Sequence, residues 1–297
     1  MRVLVSGASG LVGSEVIRQL KAEGHEALRL VRRKASAVDE VEWDPSRGYL
    51  PPGIMETIDA VVNMAGATTG KIPWTAKYKE EIVSSRLDST RTLVAAMQSA
   101  KRRPEVLVSG SASGFYGDSG ERILSESAPK GTGFLSDLAH AWEQEALKAP
   151  TDVRVVLART TMVMSRKLGA LGRLLPLIKL GIGGPLGSGK QWWAWISLPD
   201  EAAAIIHLIK TPSAKGAYNL TAPEPATCGE IVKELAKSLS RPSLIAVPSF
   251  ALKALIGEAA VELLLCSQNM SADRLLKTGF KFQHPTLREA ATWVTKR

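Results

Sequence analysis

The sequence has few cysteines, few aromatic residues and no long apolar run. Its two cysteines, Cys228 and Cys266, stand far apart without a CxxC motif or a histidine cluster, which argues against a disulfide framework and a metal site. No apolar stretch approaches the roughly 20 residues of a membrane span, and the first strand begins at Arg2, which leaves no room for a signal peptide. We therefore expect reduced structural thiols, no metal and a cytoplasmic location.

The charge balance is basic. The chain has 38 Lys and Arg against 29 Asp and Glu, a formal net charge of +9, which can serve nucleic acid, a membrane surface or an anionic small ligand. The densest clusters, residues 32–34 and 101–103, are short, and neither a basic helix nor stacked aromatic residues accompany them. We expect solvated surface charge first and an anionic ligand second, with no nucleic-acid partner and no membrane partner.

Apolar runs rich in β-formers alternate with helical patterns in the first half of the chain. The runs cover residues 3–6, 26–31, 60–64, 106–109 and 153–158, and the helical patterns cover residues 12–21, 77–99 and 136–147. This alternation predicts an α/β fold with a doubly wound parallel sheet of the Rossmann type. Two domains are predicted: an NADP-binding Rossmann domain (1–165) and a smaller C-terminal substrate lobe. Residues 166–297 mainly form this lobe, but the part around 197–221 returns to the Rossmann domain.

A glycine pattern follows the first predicted strand. Three glycines form G-x-x-G-x-x-G directly before the first helix, a context in which the backbone can approach a pyrophosphate at the helix N-terminus. The alternative is a turn that closes a strand–helix unit without a ligand. The context favours a bound dinucleotide, and the predicted contacts are Gly7, Ser9, Gly10, Leu11, Val12 and Gly13.

The end of the second strand bears on the kind of dinucleotide. NAD sites usually place Asp or Glu about 20 residues after the glycines, where it binds the ribose 2′-hydroxyl. Here Arg32 and Arg33 stand at that place, and guanidinium groups pair with a 2′-phosphate through charge-assisted hydrogen bonds. Two exposed arginines at a strand end are the alternative. The pattern favours NADP(H) over NAD(H).

Several motifs together resemble a known family. They include "GASGLVG", "VRR", "AVVNMAG", "SGSASGFYGDSG", "AWE", "GIGGPLGSGKQ" and "KTGFKF", and the match runs over nearly the whole chain. The sequence resembles extended short-chain dehydrogenases/reductases of the NAD-dependent epimerase/dehydratase-like group. The resemblance implies a Rossmann-type domain, bound NADP(H) and a small substrate lobe.

The resemblance also implies cofactor contacts beyond the glycine turn and the two arginines. Without the resemblance, Glu81 and Arg86 in the helical pattern 77–99 would be interpreted as solvated helix residues. Carried over by position, the implied contacts are Met64, Ala65, Gly66, Glu81, Arg86, Ser109 and Val163.

The usual proton machinery of short-chain dehydrogenases is missing. These enzymes generally use a serine with a Y-x-x-x-K pair, in which lysine lowers the pKa of the tyrosine, and no tyrosine of this chain has lysine four residues later. Tyr116, assisted by Ser111, is the predicted replacement. Without a neighbouring lysine its pKa would stay near the ordinary value of about 10, so it would donate a hydrogen bond better than it would remove a proton. A packing or substrate-contact role is the alternative.

The segment 180–196 combines glycines, polar donors and three tryptophans. This mixture suits the lining of a small-molecule pocket, and a tryptophan cluster that packs the two lobes together is the alternative. The predicted substrate contacts are Gln191, Trp193 and Trp195.

These observations predict an NADP(H)-binding oxidoreductase that acts on an unidentified small molecule, as a monomer or homodimer. A sugar-nucleotide epimerase or dehydratase is one alternative, although such enzymes also rely on the missing tyrosine–lysine pair. A non-catalytic protein that binds or senses NADPH is the other, and the missing pair favours it.

Overall fold

A computed structural model of the chain describes residues 1–166 and 170–296. The strands are β1 (Arg2–Ser6), β2 (Glu26–Val31), β3 (Glu40–Glu42), β4 (Ala60–Asn63), β5 (Val106–Ala112), β6 (Ile123–Leu124), β7 (Arg154–Thr160), β8 (Met162–Met164), β9 (Trp195–Ser197), β10 (Gly216–Leu220) and β11 (Asn269–Met270). The helices are α1 (Leu11–Ala22), α2 (Ala76–Ser99), α3 (Phe134–Ala146), α4 (Ala170–Lys179), α5 (Leu198–Lys210), α6 (Cys228–Ser238), α7 (Ser249–Ile256), α8 (Glu258–Ala260), α9 (Asp273–Leu276) and α10 (Leu287–Thr295). A π-helical turn, Val261–Leu265, follows α8.

The main sheet has seven parallel strands in the order β10-β7-β5-β4-β1-β2-β3. The chain builds the sheet outward from β1 through β2 to β3, and then builds the other half from β4. Its direction therefore reverses between β1 and β4, and the carboxyl ends of these strands border the crevice where open α/β sheets bind ligands. The predicted α/β fold of the Rossmann type is confirmed.

Helices cover both faces of this sheet. On one face, α1 and α5 pack with Val16, Leu20 and Ile205 against the central strands. On the other face, apolar side chains of α2 and α3, such as Leu93 and Ala146, meet the opposite side chains of the same strands. Because both faces are buried, the strands read as nearly continuous apolar runs.

The C-terminal part has its own apolar core, in which Leu171, Trp195, Ile231 and Leu287 pack together. Helix α6 begins with a capping box, since the Thr227 hydroxyl accepts from the Glu230 amide and the Glu230 carboxylate accepts from the Thr227 amide. Residues 198–220 are different, because α5 packs on α1 and β10 pairs with β7 in the main sheet. The exact boundary between the two units stays a prediction.

Three further observations bear on the remaining expectations. None of the helices within residues 1–166 and 170–296 is long and apolar enough to cross a membrane. In the same residues, histidine, cysteine and carboxylate side chains form no group of three that could hold a metal ion. Cys228 and Cys266 are free thiols whose pKa burial raises to about 11 and about 12.

Candidate functional site

The glycine turn between β1 and α1 leaves space that side chains would fill. Gly7 has a φ of +65°, and a Cβ atom there would lie 2.4 Å from the carbonyl oxygen of Met64 at the end of β4. A Cβ atom on Gly13 would lie 2.3 Å from the carbonyl oxygen of Gly7, and the Gly10 amide donates to that oxygen at 2.8 Å. Glycine is therefore required at positions 7 and 13 for the backbone of the turn to close against its neighbours.

The N-terminus of α1 is open to a ligand. Gly10 is its N-cap, and the helix has no side-chain cap among the described residues. The amide groups of the first turn, which begins with Leu11 and Val12, therefore remain available to an anion, and Ser9 is exposed beside them. This cradle fits the pyrophosphate of a dinucleotide, as the sequence predicts.

The two arginines after β2 have different surroundings. Arg33 forms a fork-like ion pair with Glu40, at 2.6 Å and 2.8 Å, and Glu40 also accepts from the amide and hydroxyl of Ser36. The Arg33 guanidinium holds the pKa of the Glu40 carboxyl at about 2, so this carboxylate stays charged. Arg32 is exposed and has no hydrogen-bond or ion-pair partner among the residues that the structure describes. Arg32 is thus free to bind an added phosphate, whereas Arg33 already has a carboxylate partner.

The loop after β4 passes next to a partly buried cation, Arg86. The guanidinium of Arg86 on α2 donates to the carbonyl oxygens of Ala67 and Ile82, and it stacks 5.3 Å from the ring centroid of Trp142. A Cβ atom on Gly66 would lie 2.9 Å from this guanidinium. Burial lowers the pKa of Arg86 to about 10, and the described part of the chain offers it no carboxylate partner. The Arg86 guanidinium therefore places a positive charge next to the loop that leaves the carboxyl end of β4.

The other implied cofactor contacts differ in exposure. The Ala65 amide donates to the hydroxyl of Ser6 at 3.2 Å, which fixes the backbone where it leaves β4 beside Met64. Glu81 is exposed on α2. Ser109 on β5 is fully buried, and Val163 on β8 is buried and pairs with Ile196. Binding of a cofactor by each of these residues stays a prediction.

Tyr116 and Ser111 belong to a buried polar network. The Tyr116 hydroxyl donates to Asn219 at 2.7 Å and accepts from Arg159 at 2.8 Å. Arg159 forms a two-point ion pair with Glu143 of α3, and Ser111 donates to the same carboxylate at 2.6 Å. All five side chains are almost completely buried. The predicted pair is thus brought together, but each hydroxyl already has a protein partner.

This network corrects the expected titration of Tyr116. The sequence predicts a pKa near the ordinary value, whereas burial raises it, an effect that exceeds the opposite effect of the Arg159 charge. The neighbouring cation is an arginine from β7, which no Y-x-x-x-K search could reveal. The hydroxyl is neutral at physiological pH and already donates to Asn219. A catalytic role for Tyr116 and Ser111 stays a prediction, and their surroundings favour a structural role.

The predicted substrate contacts lie inside the C-terminal core. The Gln191 side chain donates to the carbonyl oxygens of Leu186 and Leu264, and the Trp193 indole also donates to Leu264. Trp195 is only 1 % exposed, and its indole N–H has no partner among the described residues. Gln191 and Trp193 therefore fix the loop before β9 to the π-helical turn, and Trp195 packs within the C-terminal core. Contact with a substrate stays a prediction for all three.

Sequence reasoning missed a buried carboxyl group, that of Glu201, at the carboxyl end of β7. The Thr160 hydroxyl, at the end of β7, donates to one carboxyl oxygen of Glu201 at 2.7 Å, and the other oxygen has no partner in the described residues. Complete burial raises the pKa of Glu201 to about 8. A glutamate within the apolar face of a helical pattern is the signal that could have indicated it.

The C-terminal part is tied to the main domain at the start of two helices. The Glu262 carboxylate accepts from the amides of Phe134 and Leu135, both at 2.9 Å, and so caps α3. Lys79 near the start of α2 forms an ion pair with Glu258 at 2.8 Å. The segment 258–262 therefore attaches the C-terminal part to the N-terminal ends of α2 and α3.

The comparisons with known proteins agree with this architecture. The model of the NAD dependent epimerase/dehydratase family matches residues 3–221, and a model described as a domain of unknown function, DUF1731, matches residues 247–294. The human epimerase family protein SDR39U1, crystallised with NADPH, superposes with a TM-score of 0.92 at 31% identity, and the match covers 99% of each chain.

Two curated relatives are similar over nearly their whole length. The epimerase family protein ML0860 of Mycobacterium leprae is 37% identical over 99% of this chain and 96% of its own length. The epimerase family protein SDR39U1 of Bos taurus is 35% identical over 97% of each chain. With the parallel sheet and the glycine turn, these matches show that the chain belongs to the NAD dependent epimerase/dehydratase family.

Proposed function

We propose that the protein binds NADP(H) across the carboxyl ends of β1, β2 and β4. The observation that carries this proposal is Arg32, which has no partner among the described residues and follows the strand next to a glycine turn that leaves the N-terminus of α1 open. The α1 amides would hold the pyrophosphate, and Arg32 would pair with the 2′-phosphate that distinguishes NADP(H) from NAD(H). The human relative crystallised with NADPH supports the same choice.

We further propose that the protein is an oxidoreductase acting on an unidentified small molecule. Bound NADP(H) would supply or accept a hydride, and this chain would hold its phosphates through the α1 amides and Arg32. Reduction of a carbonyl also needs a proton donor. Tyr116 could donate only after its hydroxyl leaves Asn219, so we expect slow turnover with ordinary alcohols, ketones and sugar nucleotides. A cytoplasmic location and a monomeric or homodimeric state remain parts of the proposal.

A second candidate is a protein that binds NADPH without turning it over. The specific observation in its favour is the buried network that occupies the hydroxyls of both Tyr116 and Ser111. An epimerase or dehydratase, the third alternative, would oxidise and reduce in one cycle and leave no net change in the cofactor.

Two measurements on the intact chain test the proposal. Mass spectrometry of small molecules released from the purified protein should detect NADP⁺ or NADPH, and recovery of NAD⁺ or NADH alone would contradict the cofactor assignment. Incubation with candidate substrates should then give net loss of NADPH. Product formation without net loss would identify an epimerase, and binding without any product would favour the sensor.

A further inference from the structure

Exposed apolar side chains are concentrated in two segments of the C-terminal part. Residues 173–190 contain most of α4 and the glycine-rich loop, and residues 237–255 contain the end of α6, a connection and most of α7. Six large apolar side chains in these segments are at least half exposed: Leu180 (73%), Ile182 (50%), Leu244 (87%), Ile245 (56%), Phe250 (75%) and Leu255 (76%). Contiguous apolar exposure of this kind marks an interaction surface.

The two segments lie side by side. The Gly187 amide donates to the carbonyl oxygen of Val247 at 2.8 Å, and the Val247 amide donates to Pro185 at 2.9 Å. Farther along the same contact, the ring of Pro242 lies next to Gly181. The exposed side chains of both segments therefore belong to one surface, which we call the basic apolar face.

The charge of this face has one sign. Neither segment contains an aspartate or a glutamate, and their cations are Arg173, Lys179, Lys190, Lys237, Arg241 and Lys253. All six cations are exposed, and Arg173 also donates to the carbonyl oxygen of Gly70, in the loop after β4, at 2.6 Å. Lys253 and Phe250 are three residues apart on α7, so a cation and a large apolar side chain lie on the same side of that helix.

Nearby carboxylates do not neutralise the face. Glu258 is engaged by Lys79, and Glu262 by the amides at the start of α3. Glu258 and Glu262 therefore direct their charge toward the main domain, and Glu234, one turn before Lys237 on α6, forms an ion pair with Arg288 at 3.8 Å.

We propose that the basic apolar face docks on a membrane surface that carries anionic phospholipids. Exposed Phe, Leu and Ile side chains would enter the boundary between headgroups and acyl chains, and the surrounding Lys and Arg side chains would meet the headgroup phosphates. This is attachment to a surface and needs no membrane-spanning helix.

Other occupants fit the face less well. A second copy of the chain would bring the same six cations against these, and like charges would repel. A single-stranded nucleic acid would need aromatic side chains for base stacking, whereas Phe250 is the one aromatic residue among the six exposed apolar side chains. The sequence predicts no membrane partner, since it has no long apolar run and only short basic clusters. The two segments, 47 residues apart from 190 to 237, come together only in the folded chain, so the face they form has no local signal in the sequence.

Flotation of the full chain with lipid vesicles tests the proposal. The wild-type protein should float with vesicles made of equal parts phosphatidylcholine and phosphatidylglycerol, and hardly at all with phosphatidylcholine alone. The double variant Lys179→Glu/Arg241→Glu should bind at least about tenfold more weakly, because each lost cation removes its attraction to the anionic surface. The double variant Leu244→Ser/Phe250→Ser should also lose binding, although its charge is unchanged.

The matched control carries Lys101→Glu and Ile123→Ser, which change an exposed cation and an exposed apolar side chain elsewhere. It should float like the wild-type protein. Equal binding to neutral vesicles, no binding to anionic vesicles, or unchanged binding of both face variants would overturn the proposal. Sedimentation velocity supplies a further test, since a dimer that the same variants dissociate would assign the face to a second copy instead.

Discussion

At the scale of single residues, the buried carboxyl of Glu201 makes stability depend on pH. Its pKa is about 8 in the folded chain, against 4.5 for an ordinary glutamate. Between these pH values Glu201 is ionised in the unfolded chain and protonated in the folded chain. The free energy of unfolding therefore falls as pH rises from about 4.5, and the decrease is complete above about pH 8. The loss of unfolding free energy is on the order of 5 kcal/mol.

Glu201→Gln should therefore be less sensitive to pH than the wild-type protein. We expect the free energy of unfolding, measured by urea denaturation, to fall less between about pH 5 and about pH 8 in this variant. Glu80→Gln, a change at an exposed glutamate, serves as the control and should keep the wild-type pH dependence. Parallel curves for wild-type and Glu201→Gln would show that Glu201 is not the titrating group.

Tyr116→Phe separates the structural role of this residue from a catalytic one. Loss of the hydroxyl leaves Arg159 and Asn219 each without one buried partner, so we expect a loss of about 1–3 kcal/mol in unfolding free energy. NADPH affinity should hardly change, because the network lies away from the glycine turn. On any true substrate, lower turnover at temperatures where the variant is folded would support donation by Tyr116, and full turnover would remove it from the mechanism.

At the scale of elements, the glycine turn and α1 act together as the predicted phosphate site. Gly10 has a φ of −76°, which valine can adopt, but its Cβ atom would lie 3.1 Å from the carbonyl oxygen of Gly7 and would project a branched side chain at the helix N-terminus. Gly10→Val should therefore lose NADPH binding by at least about tenfold while remaining folded. Isothermal titration and circular dichroism measure the two properties, and a folded variant with wild-type affinity would exclude the turn as the phosphate site.

The cap of α3 is an element whose partner comes from a distant part of the chain. Glu262→Gln keeps the size of the side chain but removes the negative charge at the helix N-terminus, which should cost about 1 kcal/mol. Hydrogen exchange of the Phe134 and Leu135 amides should accelerate in this variant. Unchanged exchange at both amides would mean that Glu262 does not fix the C-terminal part to α3.

Elements with local signals are those that the sequence predicts well. The 12–21 pattern corresponds to α1 and the 136–147 pattern to α3, each within two residues of its observed bounds, because the period of the apolar residues and the flanking glycines are local. The short strand β3 and the pair β8–β9 escape prediction, since three-residue strands carry too little alternation. Their pairing depends on neighbours that are distant in sequence.

At the scale of the whole molecule, the fold and the glycine turn follow from sequence, whereas the chemistry of the crevice does not. The Arg159–Glu143 pair joins β7 to α3, and neither residue signals the other in the sequence. The ion pair between Arg33 and Glu40 likewise shows why two adjacent arginines cannot be assigned equal roles from their position alone.

Arg32 is the residue through which we propose that this crevice selects NADP(H) over NAD(H). The direct measurement is the titration of the protein with NADPH and NADH, followed by tryptophan fluorescence, for the wild-type chain, Arg32→Ala and Arg33→Ala. The Arg33→Ala chain is a matched comparison, because it also leaves Glu40 with only the more distant Arg29, at 3.4 Å, as a counter-charge and should lower the melting temperature as well as the affinity.

We predict that the wild-type protein binds NADPH more tightly than NADH. Arg32→Ala should reduce this preference by roughly 10- to 150-fold, the equivalent of about 1.5–3 kcal/mol for a charged hydrogen bond, without changing the melting temperature or NADH affinity. Equal affinity of the wild-type protein for the two nucleotides, or an unchanged preference in Arg32→Ala, would contradict the account.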